Sequence, residues 1–232
     1  MNNSDFEKIL FGISAFPIFV LDTSIPLKKY VKLDMSTTNK DLLNFDVSSA
    51  GEWEKYIDSY LEKKAATVAY GGYLEERNLY NRSTYFTNQS KENQRNIHLG
   101  MDFWCKENTK VLAALDGTIH SFKLNDNYGD YGPTIILKHQ IQGQLFYTLY
   151  GHLTLNSIKN IKVGTPVKQG EVIGSLGSAA VNGDYAPHLH FQIIKDIEGN
   201  FGDYPGVSSL NNLAFYKENC PDPKLLLCIK NA

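Results

Sequence analysis

The stretch Pro187-His188-Leu189-His190-Phe191-Gln192-Ile193-Ile194-Lys195 reads as a β-strand with two unlike faces. Residues two apart on a strand point to the same side, so His188, His190 and Gln192 share one face and Leu189, Phe191 and Ile193 share the other. Apolar packing behind two imidazoles would present them side by side on a cleft surface. The same texture extends upstream. From about residue 66, short β-branched and aromatic runs alternate with Gly, Asn and Asp. Candidate strands are 67–70, 111–114, 118–124, 134–139, 145–152, 171–175 and 188–195. Asp116-Gly117, residues 127–132 and Gln142-Gly143 punctuate them as turns. Short strands with no helical pattern between them predict a mostly antiparallel β architecture.

The first ninety residues are mixed. A short helix is expected over 5–15 and a short strand over 17–21. The clearest helix begins at Ser49, where Ser49-x-x-Glu52 forms a capping box that satisfies backbone donors of the first turn. Trp53, Tyr56, Ile57, Tyr60 and Leu61 then fall on one helical face, a stripe expected to dock on the β core. The tail from Pro205 is loop-rich, and Pro221 and Pro223 argue against a long helix there. The expected division is an α/β extension over 1–90, a core over 91–200 and a tail over 201–232.

Composition excludes several classes. The chain has 232 residues, 42% apolar and 21% charged, with a formal net charge of -2. Neither half is basic, so a nucleic-acid partner has no electrostatic footprint. No run reaches the roughly 20 apolar residues that a membrane-spanning helix needs. The longest, residues 9–21, is broken by Gly12, Ser14 and Pro17, and Asp5 and Glu7 precede it where an export signal wants positive charge. The chain as written therefore reads as cytoplasmic, or as extracytoplasmic if trimmed from a longer precursor. Cys105, Cys220 and Cys228 are an odd, widely spaced set and read as reduced thiols.

Two further phrases carry histidines, His98-Leu99-Gly100-Met101-Asp102 and Tyr150-Gly151-His152-Leu153. Catalytic zinc sites use three protein ligands plus water, with imidazole nitrogen and carboxylate oxygen as donors. His98, Asp102 and one of His188 and His190 supply such a set. The remaining histidines are left for acid–base work. Gly100, with no side chain, lets another group approach closely. His120 and His139 read as ordinary satisfied strand residues. No His-Glu-x-x-His is present, so the glutamate base of the thermolysin-like enzymes is absent, and Glu107 and Glu171 lie outside the motif phrases. Tyr85, Tyr128, Tyr131 and Tyr150 are candidate substrate contacts, with Tyr70, Tyr73 and Tyr80 as further candidates for the walls of an aromatic groove.

Together with residues 111–117, Tyr128-Gly129, Val163-Gly164, Val167 to Gly170, Val172 to Gly174 and Gly177, these phrases resemble the lysostaphin-type (LytM-like) zinc metallopeptidases. That family cuts peptide cross-links in bacterial peptidoglycan. The resemblance runs from about Arg95 to Ile194 with every block in order. It implies a duplicated hybrid motif, mostly antiparallel β, with Zn²⁺ at the floor of a groove. It also implies His98, Asp102 and His190 as zinc ligands, His152 and His188 as catalytic histidines, and a peptide or peptidoglycan substrate. Many members of that family carry a tyrosine shortly upstream of the first motif; residues 91–97 contain none, and Tyr85 is the nearest. The phrases Tyr73 to Tyr80 and Asp203-Tyr204-Pro205-Gly206-Val207 are similar to peptidase-like modules fused to aminotransferase and phosphotransferase-like domains, which implies association with larger enzyme modules. A non-catalytic binding module and a phosphocarrier share the fold, but keeping every matching position favours the metallopeptidase. Residues 70–88 are expected to line the groove rather than cover it through Asn78 or Asn81, or to pack behind the sheet.

Overall fold

In the computed structural model, which describes residues 3–14, 17–78, 92–227 and 229, the alternation of 188–195 becomes the strand β11 (His188–Ile194), buried along its whole length. The preceding strands are β1 (Tyr30–Lys32), β2 (Val68–Gly71), β3 (Ile97–His98), β4 (Met101–Trp104), β5 (Lys110–Leu112), β6 (Gly117–Asn125), β7 (Gly132–Ile141), β8 (Gln144–Gly151), β9 (Pro166–Val167) and β10 (Val172–Ser175). A last strand is β12 (Val207–Ser208). The main sheet runs β1-β2-β4-β11-β8-β7-β6-β9. Every pairing in it is antiparallel except β1 with β2. The fold is therefore mostly β, built on a large antiparallel sheet. The β7–β8 hairpin turns at Gln142-Gly143, both with positive φ, the backbone that a two-residue loop requires to match strand twist.

β11 sits near the middle of this order and carries the core on one face. Leu189, Phe191 and Ile193 pack with Phe103, Phe146, Ile135 and Tyr150 in one hydrophobic cluster. Among the described residues the α-helices are α1 (Asn3–Ile13), α2 (Ala50–Lys63), α3 (Leu155–Lys159) and α4 (Leu213–Asn219). At the start of α2 the Ser49 hydroxyl accepts from the Glu52 amide at 3.3 Å, as the capping pattern requires. Trp53, Ile57 and Leu61 of its stripe are buried in a second cluster with Trp104, Tyr185 and Ala186. The stripe does dock on the sheet.

Two expectations need correction. The strand expected over 17–21 reduces to a single bridge between Leu21 and Val111, because Pro17 precedes it and its neighbours bury as a loop. Five strands were not expected, namely β1, β3, β4, β9 and β12; each has four residues or fewer, too short to show a period. Among the described residues no helix is long and apolar enough to cross a membrane. Cys105 and Cys220 are free and buried, while Cys228 lies outside the described residues.

Candidate metal centre

Strand pairing brings the histidine phrases together. β4 and β11 align with Asp102 opposite His190, and β8 flanks β11 on its other side with Gly151 opposite His190. His98 arrives from β3, and Leu99-Gly100 turns the chain into β4. A side-chain carbon at Gly100 would lie 2.6 Å from the His190 ring and 2.8 Å from the Phe191 carbonyl oxygen, so only glycine allows this approach.

Three donor atoms converge. His98 Nε2 lies 2.8 Å from His190 Nδ1, His190 Nδ1 lies 3.1 Å from Asp102 Oδ1, and His98 Nε2 lies 3.2 Å from Asp102 Oδ1. Three ligands of a tetrahedral zinc with arms near 2.0–2.1 Å stand about 3.3 Å apart, close to this triangle. The second polar atom of each residue is engaged elsewhere. His98 Nδ1 is 3.0 Å from the Gly72 carbonyl oxygen, and a carbonyl only accepts, so Nδ1 carries the hydrogen and Nε2 keeps its lone pair. His190 Nε2 is 2.9 Å from Gln192 Oε1. Gln192 Nε2 donates to the Pro205 carbonyl oxygen and to Cys220 Sγ, which turns Oε1 toward His190 and leaves Nδ1 as its donor atom. Asp102 Oδ2 accepts from Arg77 at 2.6 Å. Arg77 in turn donates through Nε to Glu75 at 2.7 Å. Such outer contacts fix tautomer and orientation in metal sites, and here they fit a bound ion.

His152 and His188 stand beside the triad. The His152 backbone has φ +62°, which breaks the strand alternation after Gly151. Its Nδ1 lies 2.7 Å from the Asn182 carbonyl oxygen, and His188 Nδ1 lies 2.8 Å from the Ala186 carbonyl oxygen. Both rings therefore hold their hydrogen on Nδ1 and offer Nε2. Their centroids are 4.1 Å apart. The indole of Trp104 stacks on His188 at 5.8 Å.

Burial sets the charges. Desolvation, followed by the nearby Arg77 charge, pushes the His98 imidazole down to about 3. Burial likewise takes His188 to about 4 and, with His188 and His190 as neighbours, holds His152 well below the usual imidazole value. Burial alone would raise the Asp102 carboxyl, but His98, Arg77 and the ring hydrogen bonds hold it well below the usual carboxylate range. At neutral pH His98, His152 and His188 are neutral and Asp102 is a carboxylate, protonation states that suit a divalent ion.

The remaining expected residues divide. Tyr131 is at the site: its hydroxyl is 3.4 Å from His190 Nε2 and its ring 5.5 Å from that of His152. Tyr150 is not. It is fully buried on the opposite face, and its hydroxyl accepts from the Ala114 amide. On an uninterrupted strand, residues two apart would put Tyr150 and His152 on one face; the positive φ at His152 separates them. Tyr128 is half-exposed beside Leu124 and Leu155, away from the triad. Tyr70 stacks on Phe103 in the core, and the Tyr73 hydroxyl donates to the Cys220 carbonyl oxygen. Tyr80, Asn81 and Tyr85 lie outside the described residues, and the exposed Asn78 does not line the cavity over the triad. His139 and His120 are satisfied strand residues, bonded to the Asp116 carbonyl and Thr148 and to Ser121 respectively. Glu75, Arg77 and Gln192 were missed as supports of the site. For Gln192 the signal was its shared strand face with His190, and for Glu75 and Arg77 it was an arginine next to two glutamates in Tyr73 to Tyr80, with nothing local to link it to Asp102.

Residues 96–201 match the model described as Peptidase family M23, and this part of the chain belongs to that family. Among curated proteins, the chain is 32% identical over 102 residues to the peptidoglycan DD-endopeptidase ShyC of Vibrio cholerae, covering 44% of this chain and 21% of that protein. It is 37% identical over 95 residues to the glycyl-glycine endopeptidase ALE-1 of Staphylococcus capitis, covering 41% and 24%. Among solved structures, it is similar to the catalytic domain of lysostaphin from Staphylococcus simulans at 30% identity and TM-score 0.37, covering 53% of this chain and 80% of that one. The chain spans about a fifth of the length of the curated relatives it matches.

Proposed function

We propose that the chain is a zinc-dependent endopeptidase acting on peptide bonds in peptidoglycan cross-links or related peptides. The observation that carries this reading is the convergence of His98 Nε2, Asp102 Oδ1 and His190 Nδ1 beside two further neutral imidazoles. His98, Asp102 and His190 would hold the ion and leave a fourth position open. When bound, zinc polarises a scissile carbonyl and lowers the pKa of its water toward about 7. The other groups handle protons and charge. His152 and His188 each offer Nε2 as a base, and rings this close take up one proton between them rather than two. A proton accepted from the attacking water at one Nε2 is then available to the leaving amine. The Tyr131 hydroxyl is a donor beside the triad for the developing oxyanion. The names of ShyC and ALE-1 as endopeptidases support a peptide substrate. Likeness of 73–80 and 203–207 to fused modules extends the proposal to association with larger enzyme modules.

The test is metal analysis of the purified chain combined with digestion of peptidoglycan and synthetic peptides. About one zinc per chain is expected. His190→Ala should lose it, whereas His152→Ala and His188→Ala should keep it and lose about 10²- to 10⁴-fold in turnover. Full zinc content in His190→Ala overturns the ligand assignment, and intact turnover in both of the other variants overturns the mechanism.

A further inference from the structure

Resting on that reading, we infer that the N-terminal extension builds a specificity pocket next to the metal triad, for an apolar side chain on a residue flanking the scissile bond. The cavity over the triad measures about 240 Å³. Its polar lining includes the triad, His152, His188 and Arg77, with the charged Arg95, Asp130 and Asp203. Its apolar lining includes Met35, Trp53 and Ile57 from the extension, which cluster with Trp104, Tyr185 and Ala186. The family match begins at residue 96, so the first three lie outside it.

This wall is fixed. Trp53 and Ile57 are one turn apart on α2 and share a face. The Trp53 indole donates to the Val47 carbonyl oxygen at 2.8 Å and its ring meets Phe45 edge-on. Met35 is pinned through its amide, which donates to Glu75 Oε1 at 3.0 Å. The wall reaches the candidate catalytic groups directly, since Trp104 stacks on His188. A cavity of this volume is about one and a half times one that takes up benzene. It holds one leucine-sized side chain and adjoining backbone. The six clustered residues carry no charged group, so this part of the lining takes an apolar side chain rather than a charged one. Burying a branched aliphatic side chain against it should favour that substrate over glycine by about tenfold or more.

The experiment uses the zinc-loaded full chain and measures binding of leucine hydroxamate and glycine hydroxamate by calorimetry. Leucine hydroxamate should bind about tenfold tighter or better. Ile57→Ala should bring the ratio below about threefold while leaving glycine hydroxamate unchanged. Should that variant not fold, Met35→Phe, which fills the pocket and keeps the wall apolar, should favour glycine hydroxamate. Equal affinities in the unmodified chain, or a ratio that survives in the folded variants, overturns the pocket. So does failure of both hydroxamates to bind the zinc-loaded chain. Because binding is read without turnover, a selective but inactive protein would sink the endopeptidase reading alone, and an active but unselective one would sink the pocket alone.

Discussion

His139 is a histidine that the fold uses for structure, and it defines what sets the others apart. Its Nδ1 and Nε2 are both engaged, by the Asp116 carbonyl at 2.9 Å and Thr148 Oγ1 at 2.7 Å, and burial pushes it down to about 4. His98 and His190 differ because in each only one nitrogen is taken by a structural partner outside the cluster. Sequence spacing separates the same two groups, with His98, His152, His188 and His190 in the motif phrases and His120 and His139 outside them. The shared face of His188 and His190 on β11 follows from strand spacing, whereas His98 and Asp102 lie on separate strands joined through Leu99-Gly100. Tyr150 was misplaced because one left-handed residue, His152, breaks the alternation of faces, and nothing in its identity announces the break. A pH prediction belongs to His139. Its folded proton affinity lies below the unfolded value near 6.5, so the unfolded chain binds more protons between those values. Its contribution to stability is complete above about pH 6.5 and is lost as pH falls toward about 4, with a slope of up to about 1.4 kcal/mol per pH unit. Urea titrations of metal-free protein should show this slope decrease in His139→Gln; an unchanged slope would refute the assignment.

At the scale of elements, the site depends on how closely β3 and β4 can bend against β11. Gly100 makes that bend. Gly100→Ala forces a carbon into the His190 ring and the Phe191 carbonyl, and one or both must move. Zinc affinity should fall by at least about tenfold, since misplaced ligands typically cost that much, and a competitive chelator titration would measure it. Affinity equal to the unmodified chain would show that the turn can relax. The long strands β7, β8 and β11 were legible from alternation, and α2 from its cap and stripe. The two-residue strands β3, β9 and β12 were not, because pairing with neighbours, rather than any local pattern, makes them strands. The stretch 72–78 was equally opaque. It has neither period nor cap, yet it supplies the Gly72 carbonyl to His98 and Arg77 to Asp102.

For the whole molecule, the sequence indicated an extension that docks on the sheet but not where its docked face leads. That depends on β1 and β2 joining the sheet edge beside β4, which places Met35, Trp53 and Ile57 over the cavity. The hydrogen bonds from the Met35 amide to Glu75, from Arg77 to Glu75 and from Arg77 to Asp102 form an unbroken line from the extension to a candidate ligand. Linkage then works in both directions: whatever holds the extension in place raises metal affinity, and metal raises the free energy needed to peel the extension away, by the same factor. Arg77→Met should weaken zinc binding by about 10- to 100-fold and, in the same protein, reduce the protection that zinc gives residues 30–63 against hydrogen exchange. While the line is intact, a segment outside the family-matched residues should report on the occupancy of a site it does not itself ligate, and cutting the line at one link should make that segment indifferent to the metal.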